Sequence, residues 1–461
     1  MSISRSHSPA AAQILAEVGF HSIPDGWGIV RIEELLSDDR GISVGVMYPG
    51  THDPMGIPLI KAGDLANNRI NLRPDFRITP AKHQEYRRTE FQGGEILLSL
   101  VGDVGRCAIV PPEMAGWNSA RATALIRLAN LSDAPYVRLC LLSAPIQHLM
   151  QAWSTTTVQA TLNLKEIRQI PIPWPQRATR DKIAESAGAL DDKIELNRRM
   201  NETLEAMARR LFRSWFVDFD PVHAKAALRR EHPKLSNADL SRRALPNMAP
   251  EIAEHFPDIF ENSTLGPIPK GWKAGTVPDA IEVNPLRSLA KGTVAPWLEM
   301  SNMPTRSARA IAWEHREFGS GTKFVNGDTL VARITPCLEN GKTAFVDFLE
   351  EGQVAAGSTE YIVLRPKPPL PPVFAYLLAR TDDFRQHLIT NMTGTSGRQR
   401  APAECLNKLP LVAPPKDTAL HFANVTTGLF AQMKTIDEES SSLVAVRDKL
   451  LPRLLSGELL T

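Results

Sequence analysis

Apolar positions along the 461-residue chain follow two rhythms, and both occur twice in the same order. Short apolar runs with the period and flanking turns of strands come first, in FQGGEILLS at 91–99 and ATALIRL at 122–128. A long helical rhythm follows. Between residues 179 and 212, Ile183, Ala187, Leu190, Ile194, Leu204, Ala208 and Leu211 fall on three- and four-residue steps, the seam of a coiled coil, interrupted at Asn197 and Asn201. The second half repeats the sequence of events with FVNGDTLVA at 324–332 and TEYIVLRP at 359–366. Phe422, Leu429, Met433, Leu443 and Leu450 then stand where Ile183, Leu190, Ile194, Leu204 and Leu211 stand in the first. IPDGW at 23–27 and IPKGW at 268–272 open the halves, and IRQIPIPWP at 167–175 and LNKLPLVAPP at 406–415 precede the two helices. Anchors repeated in one order make an internal duplication.

The duplication predicts an α+β protein with two similar globular domains and two long helices that pair with each other as a coiled coil. A seam of about 30 residues spans ~45 Å at 1.5 Å per residue, more than a small domain is wide, so pairing between the helices is the expected use. The predicted boundaries are an N-terminal extension at 1–19, a first domain at 20–178, a helical spacer at 179–220, a linker at 221–264, a second domain at 265–416 and a second spacer at 417–461. The linker is polar and proline-containing, with one short helix expected near 237–244. Further helices are expected across 136–153 and 372–390.

With 43% hydrophobic and 23% charged residues and a mean hydropathy of −0.19, the chain reads as an ordinary soluble protein. No window approaches the roughly 18 apolar residues of a membrane span, and the first residues lack the apolar core of a secretory signal. A cytoplasmic location is expected. The four cysteines are scattered and read as reduced, buried thiols.

Enzyme signatures fail one by one. GKT at 341–343 ends like a phosphate loop, but Pro336 occupies the position of the first glycine. A base methyltransferase needs a glycine-rich methyl-donor loop and an acidic or amide Pro-Pro-aromatic loop, and neither is present. The 11 histidines form no H-E-x-x-H, and Asp279 with Glu282 lacks the lysine of a nuclease pair. No catalytic residue and no metal site is expected.

Net charge is only +2, so any nucleic-acid signal is local. Basic loops gather Lys61, Arg69 and Arg73, followed by Arg77, Lys82, Arg87 and Arg88. Before the second long helix, TGTSGRQRAP at 393–402 carries Thr395, Ser396, Arg398, Gln399 and Arg400 among flexible residues. Arginine suits guanine and glutamine suits adenine in the major groove. The counterpart before the first helix, STTTVQATLN at 154–163, carries Thr155, Thr156, Thr157 and Gln159. At the end of the first helix, LFRSWFVDFDPVHAK places Trp215, Phe216 and Phe219; such aromatics usually belong to a core, and if exposed they mark a partner interface.

Taken together, IPDGW and IPKGW, GGEILLSLVGDVGR at 93–106, NLKEIRQIPIPWP at 163–175, LFRSWFVDFDP and FPDIFENSTLGPIPKGW give a chain that resembles the DNA specificity subunits of type I restriction–modification systems over nearly its whole length. The match loosens near Pro402 and Cys405. The resemblance implies two target-recognition domains, each reading half of a split double-stranded DNA site, held apart by the two helices as an antiparallel coiled-coil pair. It implies modification subunits as partners and, where one exists, a restriction subunit. Adenine methylation and cleavage, with S-adenosylmethionine, ATP and Mg, would belong to those partners, and no cofactor to this chain. Two other classes stay open at this point, a self-sufficient DNA-modifying enzyme and a coiled-coil scaffold without a DNA role.

Overall fold

The two halves of the duplication fold into the same strand order. The structure, a computed structural model, describes residues 9–17, 24–66, 68–156, 160–395 and 397–459. It divides into two compact units, the first built from residues 1–194 and 442–461, the second from 195–441.

In the first unit an antiparallel sheet runs in the order Ile42–Val44, Thr123–Ile126, Ile96–Ser99, Cys107–Ile109. Its two central strands are buried at every position, as ILLS and TALI suggest. Leu97 pairs with Leu125 and Leu98 with Ala124. A second sheet joins Ile57–Ile60 antiparallel to Arg77–Ile78 and parallel to Asn118–Ser119. A third pair ties Gly28–Arg31 to Pro171–Trp174.

The second unit repeats this arrangement. Its main sheet is ordered Ile281–Val283, Tyr361–Pro366, Thr329–Ala332, Thr343–Phe345. Val294–Leu298 again has one antiparallel and one parallel neighbour, Glu314–Glu317 and Ala355–Gly357, and Lys273–Thr276 pairs with Pro410–Ala413.

The acid before each central strand explains the repeated GGE and NGD. Glu95, almost fully buried, accepts the backbone N–H groups of Gln92 and Gly93 at 2.8 and 2.7 Å, and Arg127 Nε lies 3.2 Å away. Asp328 accepts from Val325 N–H at 2.8 Å and meets Arg365 at 2.7 Å and Arg287 at 3.1 Å. Gly93 and Gly94 at φ +92° and +90°, and Gly327 at +85°, make turns that side chains would strain. Each buried carboxylate is thereby satisfied, Glu95 by two turn amides and one arginine and Asp328 by one turn amide and two arginines.

The long helices span Arg177–Phe216 and Lys416–Leu455. Within the first unit, Ile183 and Ala187 of one and Leu451 and Leu455 of the other join one core. Beside them Asp191 takes Arg447 at 3.0 Å and Arg138 at 2.8 Å. Within the second unit, Asn197 Nδ2 donates to Glu439 at 2.8 Å and Ser440 at 3.2 Å, and Asn201 Nδ2 to Asp437 at 2.6 Å. Ala208, Phe212 and Trp215 share a core with Phe422, Phe430 and Met433. Contacts that descend along one helix as they rise along the other make the pairing antiparallel. The seam is less apolar than its periodicity suggests: Asp191, Asn197 and Glu205 are buried, while Leu190, Ile194 and Leu204 are only partly so.

Several expectations are corrected. The linker is not a strand of coil with one helix; helices Asp220–Glu231, Asn237–Ala244 and Pro250–Ala253 and a hairpin, Phe260–Ser263 with Gly266–Pro269, fill it. Lys225 organises it, fully buried and donating to Asn237 Oδ1 at 2.9 Å and to the carbonyls of Ala253 and Phe256 at 3.0 and 2.6 Å. The helices expected across 136–153 and 372–390 each divide in two at Ser143 and at 380–381. The N-terminal extension contains helix Pro9–Glu17, whose Leu15 is buried in the first unit's core.

Trp215, Phe216 and Phe219 form no exposed partner interface. Trp215 and Phe216 are buried against Phe422, Phe256 and Phe374, and Phe219 packs edge-on to Trp272 of IPKGW at 5.6 Å. A large apolar ring stabilises far more in that core than in water. IPDGW receives the end of the other helix in the same way, since a side chain on Gly457 would strike Pro24 and press on Trp27.

Candidate nucleic-acid interface

Each unit extends one edge of its main sheet with three backbone segments, and the hydrogen bonds match one for one. In the first, Leu100 N–H donates to Ala122 O, Leu162 N–H to Leu100 O and Gly102 N–H to Ala160 O, at 2.8, 3.0 and 3.1 Å. In the second, Arg333 N–H donates to Glu360 O, Ala401 N–H to Arg333 O and Thr335 N–H to Gln399 O, at 3.0, 2.8 and 3.0 Å. Bridges Val101 to Thr161 and Ile334 to Arg400 complete the ladders. The outermost segment in each case is one arm of a hairpin, Thr155–Thr156 with Ala160–Thr161 in the first unit and 393–400 in the second. The two polar loops singled out in the sequence therefore stand at the same place in the fold.

The second hairpin separates its candidates by role. Arg398 is exposed and its guanidinium has no partner among the described residues, and Thr395 is exposed beside it. Gly394 and Gly397, at φ +118° and +80°, shape a tip that lets the backbone approach a surface closely. Gln399 is half-buried, its carbonyl held by Thr335. Arg400 is committed elsewhere: Nε and Nη2 both lie 2.8 Å from Glu360 Oε1, bracing the hairpin against the sheet. Ser396 lies outside the described residues.

In the first unit Thr155 is exposed, with Oγ1 donating to Thr161 O at 3.3 Å. Thr157, Gln159 and the side chain of Thr156 lie outside the described residues. By register Gln399 corresponds to Ala160 and not to Gln159. Arg121, which the sequence reading passed over, is exposed in the neighbouring turn and without a side-chain partner among the described residues. Nothing in its local sequence indicates that the chain returns to this edge.

The basic loops attach to the same edge through Arg106, whose Nη1 donates to Leu65 O at 2.9 Å; Lys342 Nζ makes the equivalent bond to Met300 O at 2.6 Å. Lys61 pairs with Asp75 at 2.9 Å, and that bond holds the Asp75 carboxyl below its usual range. Arg69 pairs with Asp192 at 2.5 Å. Arg73, by contrast, has an exposed guanidinium without a partner among the described residues, as have Arg87 and Arg88. Exposed pairs such as those of Lys61 and Arg69 are weak, so those cations can be exchanged onto phosphate.

Among the described residues no group of His, Cys, Asp and Glu is placed to hold a metal. Burial pushes the thiols of Cys107 and Cys140 up to about 12, which makes them poor nucleophiles. No described helix is long and apolar enough to cross a membrane. What the edge offers is hydrogen-bonding side chains and guanidinium groups, on hairpins bonded to the sheet and in the turns beside them.

A family model described as the type I restriction modification DNA specificity domain matches residues 24–206. The chain is similar to the type I restriction enzyme HindI specificity subunit of Haemophilus influenzae, 24% identical over 440 residues that cover 87% of this chain and 94% of that one. It is also similar to the MjaIX specificity subunit of Methanocaldococcus jannaschii, 22% identical over 96% of both. Among solved structures, the S subunit of a type I restriction–modification system from M. genitalium matches 94% of this chain and 96% of its own at 13% identity, with a TM-score of 0.46.

Proposed function

We propose that the chain is a DNA specificity subunit of a type I restriction–modification system, each of whose two units reads one part of a bipartite duplex target on behalf of catalytic partners. One observation carries this reading: the same hydrogen-bonded edge is built twice, and its hairpins differ in sequence. Equal scaffolds with unequal tips suit two unlike half-sites, because a scaffold positions and side chains specify. The specificity role is non-catalytic. S-adenosylmethionine would be bound by modification subunits, and ATP with Mg by a restriction subunit where one is present.

The first long helix offers a place for such a partner. Leu196, Met200, Thr203 and Met207 follow one another at four-, three- and four-residue steps and are exposed, the three apolar ones at 36–53%. That is a second heptad seam, distinct from the one the companion helix covers, and it fits an apolar helix of a modification subunit. Leu196→Glu with Met207→Glu is expected to abolish co-purification with the modification subunit while leaving the melting temperature of the chain unchanged. Retained co-purification would place the partner elsewhere.

Mapping methylated adenines in DNA, with and without this chain beside its modification subunits, tests the main reading. The expected product is a two-part motif that appears only with the chain present. The purified chain is expected to show neither methyltransferase nor nuclease activity by itself.

A further inference from the structure

The second unit contains a cleft lined by arginines at positions that are neutral or acidic in the first. Arg209 comes from the first long helix, Arg306 from the turn after Val294–Leu298, and Arg380 and Arg385 from the junction of helices Val373–Ala379 and Asp382–Thr390. Two adjoining hollows share Arg209 and Arg380. The one walled by Thr305, Gly341 and Arg385 has a volume of about 80 Å³, room for several waters.

The cleft is held open by its own bonds. Arg380 Nη1 donates to Thr305 O at 2.9 Å and Gly341 O at 3.0 Å, and its Nε lies 3.4 Å from Glu205. Arg209 donates once, to Arg380 O at 3.3 Å, and is otherwise exposed; Arg385 reaches Asp382 at 2.9 Å. Arg306 has no side-chain partner among the described residues. Three carboxylates line the same hollows, Glu202 and Glu205 in one and Asp382 in the other, and each is already engaged: Glu205 accepts the Tyr376 hydroxyl at 2.6 Å, Glu202 is bonded by Arg198 and Asp382 by Arg385.

The repeat supplies the control. Helix N-caps Ser143 and Thr381 align Leu142 with Arg380 and Gln147 with Arg385. Gln147 donates to Gly105 O at 2.8 Å, and Arg385 lies against the matching Gly341, 3.2 Å from where a Cβ would stand. Eight residues beyond the matched strand ends Ile60 and Leu298 stand Asn68 and Arg306. In the helical repeat that matches Leu204 to Leu443, Arg209 corresponds to Asp448. The same framework thus folds in the first unit with Leu142, Gln147, Asn68 and Asp448, so the fold does not demand four guanidinium groups. Glu205 and Asp382 offset the charges of Arg380 and Arg385 in part, a bound anion relieves the repulsion that remains, and the planar fork of arginine matches phosphate oxygens.

We propose that this cleft binds a phosphate group, supplied either by the backbone of duplex DNA or by a free nucleotide. The first source rests on the specificity function proposed above. Bound there, the backbone would be gripped on the second unit's side only, without being read.

The test compares the full chain assembled with its modification subunits against Arg306→Gln and the double variant Arg306→Gln/Arg385→Gln. Arg306→Gln breaks no side-chain bond to a described residue, so it remains informative if the double variant misfolds. Affinity for target and scrambled duplexes is measured by fluorescence anisotropy across a salt series, and ATP is titrated onto the full chain by calorimetry. A backbone phosphate predicts equal weakening on both duplexes, roughly tenfold for the double variant. The slope of log K against log salt falls by about 0.9 for each lost contact. A nucleotide predicts unchanged duplex binding, with ATP binding to the wild type and not to the double variant. Unchanged duplex binding together with no ATP binding to the wild type overturns the proposal, and so does weakening confined to the target duplex. If the wild-type complex prefers no sequence, the specificity function fails, while the titration of ATP still decides the cleft.

Discussion

Arg398 and Arg400 stand two residues apart in one loop, yet they do different work. Arg398, exposed and without a partner among the described residues, can form a bidentate contact with guanine, whereas Arg400 is spent on Glu360. Arg398→Ala is therefore expected to relax one base pair of one half-site by about 1–3 kcal/mol and to leave the other half-site unchanged. Arg400→Ala is expected to loosen the hairpin and weaken every base pair of that half-site together. Affinities for a panel of single-base target variants separate the two patterns, and loss spread evenly over both half-sites would contradict both. From the sequence the two arginines are indistinguishable. Glu360, forty residues earlier, assigns their roles, and no local pattern announces it. Lys61 and Arg73 likewise look alike as residues and differ only because Asp75 lies within reach of one.

Among the elements, the segment between the first long helix and the second domain departs most from its sequence reading. Its prolines and charges suggest coil, but Val222, Leu240, Ala253 and Phe256 are all buried once the chain turns back on itself. Lys225 is buried among them, and desolvation lowers its pKa from 10.5 to about 8 despite the nearby Asp258 and Glu254. Between pH 8 and 10.5 the unfolded chain then binds more protons at this site than the folded one, so stability rises with pH through that window. Relative to Lys225→Met, the wild type is expected to gain on the order of 3 kcal/mol across it, read from urea unfolding of both proteins. A constant difference would mean that Lys225 titrates near its ordinary pKa. The long helices, in contrast, were legible almost to their ends, because 40 residues with a repeating apolar step leave few alternatives. Their asparagines, Asn197 buried and Asn201 half-buried, were visible too, though only as interruptions; Glu439, Ser440 and Asp437 make them a paired polar layer.

For the assembly as a unit of function, helix length becomes the controlled variable. One heptad inserted into each long helix, near Asn197 and near Ile436, keeps the apolar face in phase and adds about 10 Å of paired helix. That corresponds to about three base pairs of DNA at ~3.4 Å each. Methylated-adenine mapping of the insertion variant is expected to find the same bases in each half-site and up to three more unread positions between them. An active variant with the original spacing would show that the helices do not set it.

The duplication, the buried strands and the two helices all follow from local rules: period, turn glycines and prolines, and anchors that recur in order. These depend on neighbours within a few residues, so one chain read from end to end contains them. Which side chains are free is decided by partners brought from far away, as Glu360 reaches Arg400 and Phe422 covers Trp215. The aromatic cluster after the first helix could be core or interface on sequence grounds, and burial against the second helix made it core. The arginine cleft is an extreme case. Its four members lie between residues 209 and 385 on separate elements, each unremarkable among its own neighbours, and only the packed second unit brings their charges together.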